Sequence, residues 1–168
     1  MPHAIGSGCF LIEIQEPTDY TLRVERTTVR GETLPDIACH QGAGFEKLMD
    51  GFHYDAFDYE ETMNRWRLQP EVIQDTGSGK EVELIGSSHT DRFRMHRLDI
   101  DLEFKTDSFQ GFAIAIVVAG EGSLTWDGGE MEIKQSNQLF VPASVGDLLW
   151  RSASNTRLAV VLCFPPDS

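Results

Sequence analysis

Three kinds of side chain in this sequence could do chemistry, and they sit far apart along the chain. Near the start, Glu13 and Arg23 fall on the polar sides of two alternating runs. Phe10, Ile12 and Ile14 alternate with Leu11, Glu13 and Gln15, and Tyr20, Leu22 and Val24 alternate with Thr21, Arg23 and Glu25, which is strand periodicity. Glu16-Pro17-Thr18-Asp19 reads as the turn between them. If the runs pair about Thr18, a carboxylate and a guanidinium face each other. That is either an ordinary cross-strand ion pair or a place where a permanent charge with a planar donor fork meets an anion. Further on, His40 follows Cys39, but neighbours on a strand point to opposite sides and make a poor metal pair. His89 and His96 lie among Arg and Asp and read as a solvated face. Trp126 and Trp150 fit either a sugar-binding mouth or the filling of an apolar core. The run Asp75–Lys80, DTGSGK, lacks the first glycine of a phosphate-binding loop and reads as a turn or linker.

The elements that must hold these groups are mostly strands. The stretch Phe112–Trp150 orders an apolar run (Ala113–Val118), Gly120-Glu121-Gly122, a strand (Ser123–Trp126), Asp127-Gly128-Gly129, a strand (Glu130–Lys134), and a further apolar strand ending at Pro142. Asp-Gly between β-type runs is a strong hairpin signal. Leu98, Ile100, Leu102 and Phe104 alternate as one half-buried strand before it, and Arg157–Phe164 follows it. Short strands at this spacing predict a sandwich or barrel. The helical part lies within Cys39–Leu68: Phe45, Leu48, Met49 and Phe52 form one stripe, and Asp58 with Glu61 resembles a capping box before Met63 and Trp66. Pro70 stops that helix.

The order of apolar strand, Gly-Glu-Gly, hairpin and Pro-Ala-x-x-Gly resembles a cupin, a small double-stranded jelly roll. Cupins usually hold a metal between their sheets on two or three His and a carboxylate. The matching places here carry Gly111, Phe112 and Ala113, and later Leu148 to Trp150, so the resemblance implies a metal-free barrel. The fold expected is all-β, a cupin-type jelly roll with a short helical insertion at about residues 42–68 and leading strands from a second, incomplete cupin. Residues 1–35 would be those leading strands, 36–80 a helical connector, and 81–168 the C-terminal cupin.

The opening segment is similar to type I phosphomannose isomerases (mannose-6-phosphate isomerases), where a G-T-x-H-A-I/L motif precedes E-I-Q-x-S-D-x-T-x-R. The matching residues are His3-Ala4-Ile5, then Glu13-Ile14-Gln15, Asp19, Thr21 and Arg23. The resemblance implies that His3 is a zinc ligand, Arg23 a catalytic electrostatic stabiliser and Glu13 a catalytic acid or base. The reaction implied is isomerisation of mannose 6-phosphate and fructose 6-phosphate through an enediol, in carbohydrate metabolism. The family's other zinc ligands, a Gln-x-His pair and a Glu, lie upstream of the His motif. The chain starts at Met1, so the expectation is a C-terminal half that needs an N-terminal partner polypeptide to complete its site. The alternative is a non-catalytic cupin that binds or senses a sugar or a protein partner.

Composition narrows the partners. The 168 residues carry a net charge of −13, which argues against nucleic acid and anionic membrane. A sugar phosphate must then be met by local Arg or Lys. Three well-separated cysteines without metal spacing read as reduced thiols in a cytoplasmic protein. No stretch is long and apolar enough for a signal or a membrane span. Unpaired leading strands before Arg26 would offer edges to a second copy, so a homo-oligomer is a further expectation.

Overall fold

The computed structural model describes residues 5–15, 21–153 and 156–166. The chain divides between Arg65 and Trp66 into two compact units.

In the first unit the alternating runs do not become strands: residues 5–15 and 21–26 lack strand pairing. Alternation alone leaves a ladder unmade, because each strand needs an edge to bond. Here the second run bonds to a helix instead. The Arg23 amide donates to the Cys39 carbonyl (2.8 Å), and Gln41 Nε2 donates to the Thr21 carbonyl (3.0 Å). The turn expected at residues 16–19 lies outside the described residues. Thr28 Oγ1 accepts from the amides of Arg30 and Glu32, closing a loop whose ends meet in a Thr27–Thr33 bridge. Three short helices follow: α1 (Asp36–His40), α2 (Phe45–Met49) and α3 (Tyr59–Trp66). Asp58 caps α3 as its spacing predicts, its Oδ1 accepting from the Glu61 amide at 2.8 Å. Glu61 and Arg65, one turn apart, pair at 2.8 Å on the same helix.

Among its described residues the second unit holds ten strands: β1 (Glu71–Asp75), β2 (Gly79–Ile85), β3 (Arg94–Ile100), β4 (Glu103–Thr106), β5 (Ala113–Ala119), β6 (Glu121–Trp126), β7 (Gly129–Lys134), β8 (Gln138–Val141), β9 (Leu148–Ser152) and β10 (Leu158–Phe164). They form two antiparallel sheets, ordered β1-β2-β3-β10-β5-β8 and β4-β9-β6-β7. Period-two burial explains the layering: Leu98 and Ile100, Ala113, Ala115 and Val117, and Leu158, Val160, Leu162 and Phe164 project from one sheet. Phe104, Leu124, Ile133, Leu148 and Trp150 meet them from the other.

One expectation changes here, and one resolves to its first alternative. The run Leu98–Phe104 is two strands in different sheets. The chain breaks at Asp101-Leu102, whose amides both donate to the Ser78 carbonyl (3.0 Å), and Leu102 is 69% exposed despite keeping the period. The region Asp75–Lys80 is the turn of the β1–β2 hairpin, with Thr76 Oγ1 accepting from Gly79 N at 3.1 Å. The Asp127-Gly128 turn behaves as expected, joining β6 and β7 with Trp126 opposite Gly129. No helix among the described residues is long and apolar enough to cross a membrane.

Asp147 fastens one end of the β4–β9 pair, where Thr106 lies opposite Leu148. It holds Lys105 Nζ at 2.7 Å and accepts from the Ser108 amide at 3.1 Å. Lys105 keeps its carboxyl below the ordinary carboxylate value, as Arg157 does for Asp101. A lowered folded-state pKa gives stability that is full above the unfolded value and lost as pH falls through the folded one. Asp147→Asn should therefore lower the melting temperature at neutral pH. That difference should vanish once the pH lies below both values. Melts at the two pH values check it, and a difference that persists in acid contradicts it.

Candidate functional site

The residues with most chemical character in the β unit gather where β2, β3 and β10 end together. Parity on β3 places Arg94, His96, Leu98 and Ile100 on one face, and Leu98 and Ile100 are fully buried in the core. His96 therefore points inward; it is buried, at 9% exposure, which corrects the solvated face expected for it. On β2, Glu81 lies opposite Leu98 and Glu83 opposite His96, so both carboxylates share that inward face. His96 Nδ1 meets Glu81 Oε1 at 2.8 Å, while Nε2 lies 3.8 Å from Glu83 Oε2. A carboxylate only accepts, so Nδ1 carries the proton of that bond. Nε2 is buried and has no hydrogen-bond partner in the structure. The imidazole stands edge-on to Phe164, 4.8 Å between centroids, and Phe109 flanks the same ring at 5.1 Å. The Arg94 guanidinium lies over Phe164 at 5.3 Å.

Sequence reasoning missed this cluster, although the signal was present. His96 shares parity with Leu98 and Ile100, and the Glu81/Glu83 pair keeps parity with Gly79 across the sheet. His89 does stay exposed, accepting from the Gly86 amide through Nδ1 at 3.1 Å. Trp150 is wholly buried and belongs to the core, and Trp126 packs against it half-buried. On the outside of the four-stranded sheet, Glu121, Ser123, Glu132, Lys134, Asn137 and Arg151 help line an open depression of about 790 Å³.

The three residues singled out near the start are placed differently. His3 lies outside the described residues. Glu13 is exposed. Arg23 is exposed too, and its Nη1 donates to the Ala38 carbonyl at 3.2 Å, which anchors the side chain on α1. The neighbouring Arg26 pairs with Asp36 and lies over the Phe45 ring at 4.8 Å.

No protein-family model matches the chain, and no curated protein matches it. Solved structures do. Mannose 6-phosphate isomerase from Bacillus subtilis superposes with a TM-score of 0.59 at 14% identity, over 83% of this chain. Vicilin from hazelnut (Corylus avellana) gives 0.51 at 17% identity over 59% of the chain. An RmlC-like cupin from Shewanella frigidimarina gives 0.46 at 18% identity, over 69% of this chain and 93% of its own. The fold is a cupin jelly roll. The match covers 38% of the isomerase and 31% of the vicilin, so this chain spans well under half of either.

The cupin's described residues do not make a zinc centre. Catalytic zinc takes about three protein ligands with one position open. Among the described residues no group of three or more His, Cys, Asp and Glu is placed to hold a metal ion. At this end of the β unit Glu81 occupies Nδ1 of His96, which leaves Nε2 and Glu83 facing each other across the gap.

Proposed function

We propose that this cupin is a mannose-6-phosphate isomerase-like protein of carbohydrate metabolism, contributing one wall of a sugar-phosphate pocket. Zinc is the proposed cofactor, with His3 as this chain's ligand and the remaining ligands supplied by an N-terminal partner polypeptide. In the reaction proposed, a base takes the proton from C2 of open-chain mannose 6-phosphate and returns it to C1. The proton on O2 is lost as the C2 carbonyl forms, O1 gains one, and the product is fructose 6-phosphate. Glu13 is the carboxylate proposed to exchange that proton. Arg23 offers a permanent charge to the enediolate or the phosphate.

The observation that carries this reading is the reach of the likeness to the Bacillus enzyme. The β unit holds less than two thirds of the 168 residues, so a match over 83% extends beyond it into the residues before Trp66. The anchoring of Arg23 on α1, with its side chain left exposed, supports the same role.

The test is turnover of mannose 6-phosphate with zinc, for this chain alone and mixed with a polypeptide carrying the upstream ligands. Zinc-dependent turnover in the mixture is expected, with Arg23→Ala reducing kcat/KM on the order of 10²-fold or more. Absence of turnover in both conditions removes the isomerase reading.

A further inference from the structure

We propose that the barrel mouth around His96 binds a neutral polyhydroxylated small molecule, a sugar or polyol without phosphate. The site belongs to the β unit alone and does not depend on the isomerase reading.

The argument starts from an unfinished hydrogen-bond count. Buried polar atoms are costly when unpaired. Nε2 of His96 is such an atom, with Glu83 Oε2 facing it across 3.8 Å, too long for a direct hydrogen bond. When the imidazole is neutral, Nδ1–H serves Glu81, so Nε2 and Glu83 are two acceptors that need a donor between them. When it is protonated, Nε2–H is a donor that needs an acceptor. A single hydroxyl satisfies the protonated state, accepting from Nε2–H and donating to Glu83, while in the neutral state its one proton serves either Nε2 or Glu83. Vicinal hydroxyls can serve the two atoms separately. An ammonium or a metal ion satisfies only the neutral state. Glu81 and Glu83 together disfavour a phosphate or carboxylate between them, although the Arg94 guanidinium over Phe164 brings a positive charge to the same face.

The surroundings suit the carbon skeleton of such a ligand. Phe164 stands beside the imidazole, with Phe109 packed on Phe164, and together they give an apolar wall for C–H groups. Glu83 is also held in place by a specific absence. A Cβ on Gly86 would lie 2.0 Å from Glu83 Oε1, so the carboxylate rests where only glycine leaves room. Gly86 thereby sets the position of the acceptor that faces Nε2.

The test uses the full chain with sorbitol and methyl α-D-mannoside as probes, and inorganic phosphate and Zn²⁺ as contrasts. The readout is the ring-nitrogen NMR shift of His96, with calorimetric titration beside it. Saturable perturbation of Nε2 by a neutral probe, with none by phosphate, is expected. Gly86→Ala and Glu83→Gln should each weaken it about tenfold or more, the loss of one hydrogen bond to a charged group. Gly86→Ala displaces only the flexible end of Glu83, so it tests the site even where a His96 substitution unfolds the barrel. No response to either neutral probe overturns the proposal, as does a response to Zn²⁺ alone. A neutral-probe response that both variants leave intact places binding elsewhere and overturns it too.

Discussion

Trp150→Ala is expected to remove about 3–5 kcal/mol of stability, the range for deleting a large buried aromatic side chain. Native domains hold only about 5–15 kcal/mol in total, so the variant should lose a large share of its stability and melt well below the parent chain. The reason is position: Trp150 is wholly buried and lies between Phe104 on β4 and Leu124 on β6. Its Nε1 donates to Thr106 Oγ1 at 3.1 Å, and Thr106 is itself buried. Trp150→Phe separates the two contributions. It keeps most of the apolar contact but takes the indole donor from the buried Thr106 hydroxyl, at a cost of about 1–3 kcal/mol. Urea unfolding followed by circular dichroism measures both without relying on tryptophan emission. An unchanged midpoint for Trp150→Ala would mean that the core is not closed around this ring.

Gly120→Ala should be nearly as damaging, about 3 kcal/mol or roughly a hundredfold in the folded-to-unfolded ratio. Gly120 has φ +78°, and a Cβ there would stand 2.2 Å from the Arg157 carbonyl oxygen at the start of β10. Left-handed strain and a backbone clash therefore act together, and backbone cannot step aside as a side chain can. Gly128, in the β6–β7 turn, separates them: its φ is +106°, but nothing lies within 4 Å of its added Cβ. Gly128→Ala should thus cost clearly less, about 1–2 kcal/mol from strain alone. Equal losses at the two positions would show that the contact with Arg157 contributes nothing. The Gly-Glu-Gly run has a second such approach, since a Cβ on Gly122 would meet the Arg151 carbonyl oxygen at 1.9 Å.

Legibility in the sequence followed the range of the interaction. The Asp58 cap and the Asp127-Gly128 hairpin were readable because each is decided within a few residues. The order of apolar strand, Gly-Glu-Gly and hairpin was readable as a cupin because close backbone approach demands those glycines. The switch of sheets at Asp101-Leu102 was not, because alternation continues through it and only tertiary bonding to Ser78 shows the break. The runs before Arg26 failed as strands for the opposite reason: the period is present, but Cys39 takes the bond from Arg23 N that a neighbouring strand would have taken. His96 was read by the company it keeps in sequence, Arg94 and Arg97, when its face was decided by Leu98 and Ile100. For the isomerase residues, the spacing of Glu13 and Arg23 was visible, but spacing carries no information about which groups complete a pocket.

The place of β10 sets a condition on how the barrel is made. It is the last strand of its unit, yet it lies in the middle of the six-stranded sheet, bonded to β3 on one side and β5 on the other. During translation β1-β2-β3 and β5-β8 emerge as two half-sheets with no strand to join them, each showing a sticky edge. Cooperative closure must wait until Leu158–Phe164 has left the ribosome, and a nascent chain stalled before that point is a natural client for a chaperone.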